Sequence, residues 1–319
     1  MVWFFNQLAC LPLSVLHRLG VAFGWVTYWS SERYAERLRE NLRHGLQFSS
    51  PPPDRGRARE GVESLLSHQV NPHPNLPPAW GKEQFQKVLH ANISEAGKSV
   101  MELPWVWLRP LDEVVASVVQ CHGWEFVEAA RAQGKGVIVL TPHFGCFELI
   151  GLYVAARLPM TCLYRRPHWQ FLDTLMHEGR ERGQMKLAPA DLGGVRLLLK
   201  ALKRGEIIGI LPDQVPGNGE GEWVPFFGRP AYTMTLIGRL IQSSGAAVVM
   251  CHAERLPCGK GYIMRFAPLS FDTTAPISPQ MNAALEAVVC SCPEQYLWSY
   301  NRYKVPRGVV PLDAVKEQA

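Results

Sequence analysis

A histidine and a glutamate five positions apart, His143 and Glu148, follow the apolar, β-branched run 137–140. This run predicts a buried parallel strand, and residues 147–157 predict the helix that comes next. Ligand-binding and active sites of α/β proteins commonly lie where a strand of the sheet leads into a helix. A carboxylate in the first helical turn can fold back onto the imidazole, and such a pair forms a general base. In the alternative interpretation, His143 caps the helix and Glu148 complements its dipole.

Two more polar clusters follow predicted strands. Arg165 and Arg166 come directly after strand 161–164, and a guanidinium group can bind a phosphate or a carboxylate through two hydrogen bonds. Asp213 and Gln214 end the next long apolar run, where the acid can pair with one of these arginines or contact substrate. The alternative for the arginine pair is a solvated turn.

Three later segments suggest less specific roles. The glycine-rich stretch 217–223 is not interpreted as a phosphate-binding loop, because no strand leads into it and no helix opens from it, and it predicts a mobile lid instead. Arg229 follows two adjacent phenylalanines, and Thr233 is predicted to cap a helix. Residues 296–304, which include Arg302, interleave aromatic rings with cations, as nucleic-acid surfaces and membrane interfaces do. Without a wider basic patch we expect no nucleic-acid partner.

The composition sets the class of protein. With 319 residues, 47% of them hydrophobic, the chain can bury a large core, and its formal charge of +5 suits an acidic partner or an anionic membrane surface. The eight cysteines include no C-x-x-C pair, which favours free thiols in a reducing compartment. A metal set built from His143 and Cys146 would need Cys251, His252 or Cys258 to complete it. Because this is no compact ligand signature, we predict no metal site.

The N-terminal residues 3–29 are largely apolar and aromatic, without the basic start and cleavage site of a signal peptide. The segment is long enough to span a bilayer, but His17 and Arg18 near its middle make that costly. A helix in the membrane interface or a bent hairpin fits equally well, and an ordinary core helix is the alternative. The basic residues between 33 and 44 would lie against anionic head groups. We therefore expect membrane attachment.

The remaining pattern predicts a helical N-terminal portion followed by alternating strands and helices. Helices are expected at residues 31–48, 57–68 and 85–108, and strands at 136–140, 161–164, 185–187, 207–211, 246–251 and 261–266. Helices of 10 to 15 residues separate most of the strands, which is typical of βαβ units. The predicted fold is α/β, with a mainly parallel central sheet flanked by helices.

Together these segments resemble the lysophospholipid-acyltransferase superfamily and, within it, the late lauroyl/myristoyl acyltransferases of lipid A biosynthesis. The resemblance covers most of the chain and depends on the order and spacing of several short blocks. Besides the N-terminal apolar segment, the blocks are Arg39-Glu40-Asn41-Leu42, His143-Phe144-Gly145 with Glu148, Tyr164-Arg165-Arg166-Pro167, Leu211-Pro212-Asp213-Gln214, the segment 224–231, and Trp298 with Arg302-Tyr303-Lys304.

The resemblance implies an enzyme on the cytoplasmic face of the bacterial inner membrane. Its domains would be a membrane-anchoring segment at 1–30 and an acyltransferase domain at 31–319, helical to about residue 132 and α/β over 133–319. Members of the family move a fatty acyl chain from an acyl carrier protein thioester to a hydroxyl of a phosphorylated, glucosamine-based lipid A precursor. No cofactor or metal is expected for this direct acyl transfer.

Site roles also follow from the resemblance. His143 would deprotonate the acceptor hydroxyl and Glu148 would orient the imidazole. The residues expected to bind substrate are Arg165, Arg166, Asp213, Gln214, Arg229 and Arg302.

The chain departs from the family pattern at two places, with Cys146-Phe147 instead of Asn-Trp and Asn301 instead of a histidine or a similar residue. We interpret Cys146 as a tolerated replacement, because no acyl-enzyme is needed when both substrates bind together. Three other functions stay open: a superfamily acyltransferase for a glycerophospholipid, glycolipid or pigment, a thioester hydrolase with the same residues, and a non-catalytic membrane-associated binding protein.

Overall fold

The computed structural model of the protein describes residues 2–48, 81–167, 170–217 and 219–312. The helix predicted at 57–68 lies outside these residues. The helices of the described residues are α1 (Val2–Ala9), α2 (Leu13–Ser30), α3 (Glu32–Phe48), α4 (Lys82–Met101), α5 (Leu103–Leu108), α6 (Leu111–Ala116), α7 (Trp124–Ala132), α8 (Phe147–Ala155), α9 (Gln170–Arg180), α10 (Leu192–Lys203), α11 (Leu236–Ser244) and α12 (Ile277–Ser291). The strands are β1 (Val118–His122), β2 (Val137–Leu140), β3 (Met160–Tyr164), β4 (Met185–Pro189), β5 (Ile207–Ile210), β6 (Gly221–Phe226), β7 (Arg229–Met234), β8 (Ala247–Arg255) and β9 (Tyr262–Leu269).

Seven strands form one sheet in the order β1-β9-β8-β2-β5-β3-β4. All neighbouring strands in it are parallel except β8 and β9, which run antiparallel. The predicted α/β fold with a mainly parallel sheet flanked by helices is therefore confirmed, and the predicted strands agree with the observed ones to within a few residues. The edge strand β1 and the separate antiparallel hairpin β6–β7 were not predicted.

The core lies on both faces of the sheet, as strand alternation requires. In β2, Val137 and Val139 pack on the face covered by α7, α8 and α9, whereas Ile138 and Leu140 pack on the face covered by α10, α11 and α12. All four side chains have no exposed surface. Burying a side chain of this size stabilises the fold by about 1.5–3 kcal/mol, so a strand buried on both sides is firmly held.

Helix α2 packs closely on α4 through three glycines. A Cβ atom on Gly97 would lie 1.9 Å from the carbonyl oxygen of Gly20, and one on Gly24 would lie 2.2 Å from that of Ile93. The opposite side of α2 leaves apolar side chains exposed, among them Phe23, Val26 and Trp29. Among the described residues, none of the helices combines the length and apolar character needed to cross a bilayer. The predicted membrane-anchoring role of residues 1–30 stays a prediction.

Candidate active site

The candidate site lies at the carboxyl ends of the parallel strands, in the loop between β2 and α8. Strand β2 has β5 on one side and β8 on the other, so chain connections diverge at this point and leave a crevice. Gly145 has a φ of +55°, and a Cβ atom there would lie 1.9 Å from the carbonyl oxygen of Ala253 in β8. The neighbouring Cys146 N–H donates to the same oxygen at 3.0 Å. The loop that carries His143 is thus held tightly against the sheet.

A buried cluster of ion pairs contacts this loop and helps to hold it in place. Arg255 forms ion pairs with Glu102 and Glu95 and donates a hydrogen bond of 3.0 Å to the carbonyl oxygen of Gly145. Burial opposes the charge on Glu102, but Arg255 more than offsets it and lowers the pKa of Glu102 to about 2. His17 of α2 also contacts Glu102, at 3.3 Å. The cluster therefore connects an N-terminal helix with the loop.

The imidazole of His143 is oriented by Asp213. Its Nδ1 lies 2.7 Å from Oδ1 of Asp213, and the backbone N–H of His143 donates to Oδ2 at 2.9 Å. Because an ionised carboxylate only accepts hydrogen bonds, Nδ1 carries the ring proton of the neutral imidazole. The electron pair of Nε2 is then available and accepts a hydrogen bond of 3.0 Å from the amide of Gln214. His143 and Gln214 both line the central cavity, so the basic nitrogen is in place for a substrate hydroxyl.

The charge of Asp213 is maintained although its side chain is only 2% exposed. Burial raises the pKa of such a carboxyl, but the nearby imidazole and the two hydrogen bonds from His143 outweigh this effect. The pKa of Asp213 is therefore below its ordinary value. Sequence reasoning placed Asp213 beside an arginine or substrate, whereas its direct partner is the histidine.

Glu148 does not orient His143 as the sequence predicted. It accepts hydrogen bonds from Arg180 Nε at 2.8 Å and Trp107 Nε1 at 3.1 Å, and Arg180 Nη2 contacts its other oxygen. The first turn of α8 directs the carboxylate towards α5 and α9 instead of towards the ring. Burial raises the pKa of Glu148, but Arg180 more than compensates, so this pKa too lies below its ordinary value.

Arg180 is a site residue that sequence reasoning missed. It lies at the end of α9 and lines the same cavity as His143 and Glu148. Two of its nitrogens face Glu148, and Nη1 has no hydrogen-bond partner among the residues that the structure describes. A guanidinium fixed in this way can stabilise negative charge that develops near His143. No motif surrounds Arg180 in the sequence, and its distance of 32 residues from Glu148 gives no local pattern.

The cavity around these residues has a volume of about 790 Å³ and is lined mainly by apolar side chains. Helix α8 and the strands β3, β4 and β5 contribute Ile150, Gly151, Met160, Cys162, Met185 and Gly209 to its lining. Helices α10 and α11 contribute Leu192, Val195, Leu199, Leu236, Arg239 and Leu240. His143 and Gln214, in the loops after β2 and β5, line it as well.

The predicted arginine pair lies at this cavity. Arg165 and Arg166 both line it, and both are exposed to solvent. Arg166 Nε is 3.0 Å from Oδ2 of Asp173 in α9, which holds the side chain against that helix. The location fits an anion-binding role, which stays a prediction.

Arg229 and Arg302 do not line the cavity, so their positions do not support the predicted contact with substrate. Arg229 lies in the hairpin, pairs with Glu40 at 2.9 Å and stacks on Tyr303. Arg302 is 3% exposed and donates to the carbonyl oxygen of Tyr232 and the hydroxyl of Thr233. Both arginines therefore stabilise contacts between the hairpin and other parts of the fold.

The predicted cap at Thr233 is also wrong, because Thr233 belongs to β7, three residues before α11 begins. The end of the glycine-rich stretch forms the start of β6, and its role as a mobile lid stays a prediction. The hydroxyl of Thr233 donates to Ala231 and accepts from Arg302. The aromatic residues of segment 296–304 are largely internal, since Trp298 is 3% exposed, so this segment provides packing rather than an interface.

Cys146 is buried behind the loop and does not line the cavity. Burial and the charge of Glu102 raise the pKa of its thiol well above the ordinary value, so the reactive thiolate is suppressed. Among the described residues there is no group of three or more histidine, cysteine, aspartate or glutamate side chains arranged to hold a metal ion.

A family profile and several relatives to which the chain is similar agree on one family. The profile of the family described as bacterial lipid A biosynthesis acyltransferase matches residues 75–305. A lipid A biosynthesis lauroyltransferase of Escherichia coli (strain K12) is 29% identical over 305 residues, covering 94% of this chain and 89% of that protein. A lipid A biosynthesis palmitoleoyltransferase of the same organism is 30% identical over 236 residues, covering 71% and 74%. A lipid A biosynthesis acyltransferase of Haemophilus influenzae is 26% identical over 313 residues, covering 95% and 88%.

Proposed function

Because this chain belongs to the bacterial lipid A biosynthesis acyltransferase family, we propose that it moves a fatty acyl group from an acyl carrier protein thioester to a hydroxyl of a phosphorylated, glucosamine-based lipid A precursor. The observation that carries the proposal is the pairing of His143 with Asp213 at the edge of an apolar cavity. The pair supplies a base with a fixed tautomer, and the cavity accommodates a hydrocarbon chain.

In the proposed reaction, His143 acts as the base. The acceptor hydroxyl replaces the amide of Gln214 at Nε2 and transfers its proton to that nitrogen as its oxygen attacks the thioester carbonyl carbon. The carbonyl oxygen becomes an oxyanion, which the guanidinium of Arg180 stabilises. When the C–S bond breaks, the sulfur of the carrier protein leaves as a thiolate and takes the proton from the imidazolium. Asp213 stabilises the imidazolium between these steps.

The two carboxylates have separate tasks in this mechanism. Asp213 acts on the imidazole, and Glu148 holds Arg180 in place through its contacts with Nε and Nη2. Arg165 and Arg166 bind phosphate of the acceptor at the mouth of the cavity. The cavity holds the acyl chain of the donor, because Ile150, Met160 and the other apolar lining residues would shield it from water.

Membrane attachment is part of the proposal and involves the exposed side of α2. Phe23 is 43% exposed, Val26 59% and Trp29 73%, and their spacing places them on one helical face. Such a face suits a helix lying in the interface of the inner membrane at its cytoplasmic side. Flotation with vesicles containing anionic lipid tests this, since Phe23→Glu with Trp29→Glu should leave the protein unbound. Equal flotation of the double variant would contradict the attachment.

An acyl-transfer assay tests the reaction. Purified protein receives labelled acyl carrier protein thioesters of several chain lengths and a phosphorylated, tetra-acylated glucosamine disaccharide. We expect a product with one more acyl chain from the wild type and none from His143→Ala. His122→Ala is a matched control, because His122 lies in edge strand β1, away from the cavity. Release of free fatty acid without the acceptor product would favour a hydrolase, and transfer only to another lipid would favour another acceptor.

A further inference from the structure

A short segment near the C-terminus, residues 294–300, contacts both loops of the candidate base, and we call it the C-terminal clasp. Its Leu297 N–H donates to the carbonyl oxygen of His143 at 3.0 Å. The carbonyl oxygen of Gln295 accepts from the N–H of Gly145, also at 3.0 Å. The histidine loop is therefore hydrogen-bonded to the clasp through its backbone on either side of residue 144, much as one strand pairs with another.

The clasp also holds the loop that follows β5. The hydroxyl of Tyr300 accepts a hydrogen bond of 3.0 Å from the N–H of Val215. Asp213 and Gln214 come directly before Val215, and their side chains contact the two ring nitrogens of the imidazole. Because Val215 is only 4% exposed, water has little access to replace the hydroxyl as acceptor. One segment thus connects the loop of the histidine with the loop of its carboxylate.

Two buried asparagines of the N-terminal helices fix the clasp in turn. Nδ2 of Asn41 in α3 donates to the carbonyl oxygens of Trp298 and Tyr300, at 2.7 and 2.9 Å. Nδ2 of Asn92 in α4 donates in the same way to two earlier carbonyl oxygens of the clasp, both at 2.8 Å. Each amide therefore bridges two carbonyl groups that lie two residues apart. These contacts give Asn41, in the sequence block 39–42, a place in the support of the site.

We propose that the C-terminal clasp positions the His143–Asp213 pair for proton transfer and that Tyr300 is a positioning residue of the reaction. This inference rests on the proposed function, since the pair acts as a base only in such a reaction. His143 and Asp213 each lie three residues beyond the end of a strand, so the sheet alone does not fix one against the other. The clasp bridges the two loops at this point. A displacement of about 1 Å between reacting groups can cost about 100-fold in rate.

Tyr300→Phe tests the role of the hydroxyl, and Tyr303→Phe is the matched control. Both variants lose one hydroxyl from the same part of the chain, but that of Tyr303 donates to the carbonyl oxygen of Phe226 in the hairpin, at 3.0 Å. We expect Tyr300→Phe to reduce kcat about tenfold and Tyr303→Phe to keep it within about twofold of the wild type. The KM of both substrates should change by less than about twofold in either variant, because neither tyrosine lines the cavity. Thermal unfolding verifies that both variants are folded at the assay temperature.

A double variant separates positioning from an independent effect on the fold. If Tyr300 acts through the imidazole and its carboxylate, Tyr300→Phe should cause no further loss of kcat in an Asp213→Asn background, whereas independent losses would multiply. Asn41→Ala approaches the same segment from α3, and we expect it to lower kcat in the wild type but not in Tyr300→Phe with Asp213→Asn. Single-turnover rates measure these differences.

The inference is overturned if Tyr300→Phe has the kcat of the wild type, if both tyrosine variants lose activity equally, or if the losses of Tyr300→Phe and Asp213→Asn multiply. Failure of the wild type to acylate the phosphorylated, tetra-acylated glucosamine disaccharide would instead overturn the proposed function, on which the inference depends.

Discussion

The two carboxylates of the candidate site, Asp213 and Glu148, differ in their hydrogen-bond partners. Asp213, 70 residues away along the chain, contacts the imidazole through Nδ1 and the backbone N–H. Glu148, five residues away, turns from the ring and binds the guanidinium of Arg180 and the indole of Trp107. Both are buried, and the pKa of each lies below its ordinary value because a cationic or protonatable partner outweighs burial. Proximity along the chain therefore did not identify the partner of the histidine.

The largest loss of activity is expected for Asp213→Asn. The amide of asparagine would donate to Nδ1 and place the ring proton on Nε2, so the basic nitrogen would be lost. We expect kcat to fall by about 10³- to 10⁴-fold, as such a tautomer change does in a catalytic triad. Steady-state kinetics measure this, with thermal unfolding to verify the fold. A kcat within tenfold of the wild type would mean that Asp213 does not control the imidazole.

Arg180→Lys tests the second pair. Lysine keeps the charge but cannot present two nitrogens to Glu148 and a third to the cavity, so the oxyanion would lose a fixed donor. We expect a reduction of kcat by about 100-fold with a small change in the KM of the donor. Arg182→Lys is the control, because Arg182 lies two residues further along the chain and donates its hydrogen bonds, within the described ranges, to backbone carbonyl oxygens. Equal losses in both variants would assign the effect to packing.

Glu286 is a third, partly buried carboxylate, and the part of the chain that the structure describes offers it no ion-pair partner. Burial raises its pKa to about 7, although the N–H of Phe227 donates to it. Because the folded state binds this proton more tightly than the unfolded state, the free energy of unfolding falls as the pH rises from the ordinary pKa of 4.5 to 7. This pH dependence is opposite in sign to that of Asp213 and Glu148, whose pKa values are lowered. Glu286→Gln should therefore have a free energy of unfolding about 2 kcal/mol higher than the wild type at pH 8, and about the same free energy of unfolding as the wild type at pH 4.5. Equal differences at both pH values would exclude this titration.

The smallest effect is expected for Cys146→Ala, which lies between the two pairs in the sequence. Its thiol is directed away from the cavity and its raised pKa suppresses the thiolate, so kcat should stay within about twofold of the wild type. Loss of the buried sulfur should cost about 1 kcal/mol of unfolding free energy. Trapping a covalent acyl group on Cys146 by mass spectrometry would contradict the direct transfer.

The sequence predicted the parallel core of the fold well, because β2 and β5 are short apolar runs bounded by turn residues. It missed β1, whose side chains are mostly exposed and alternate irregularly. It also missed the β6–β7 hairpin, because glycines and prolines obscure the alternation there.

The site was predicted in part for the same physical reasons. His143, Arg165, Arg166 and Gln214 follow strands and were expected at one edge of the sheet, where all four line the cavity. The partner of each carboxylate depends on side-chain direction and on contacts across 70 and 32 residues, which spacing does not encode. Arg180 was therefore not found.

The contact between Gly145 and Ala253 limits how this loop can vary. Any side chain at position 145 would both require a left-handed backbone and collide with a carbonyl oxygen of β8. A library of random substitutions across residues 144–147 should therefore return functional clones with changes at Cys146 but none at Gly145. The histidine loop thus contains one position that tolerates no side chain directly beside one that tolerates replacement.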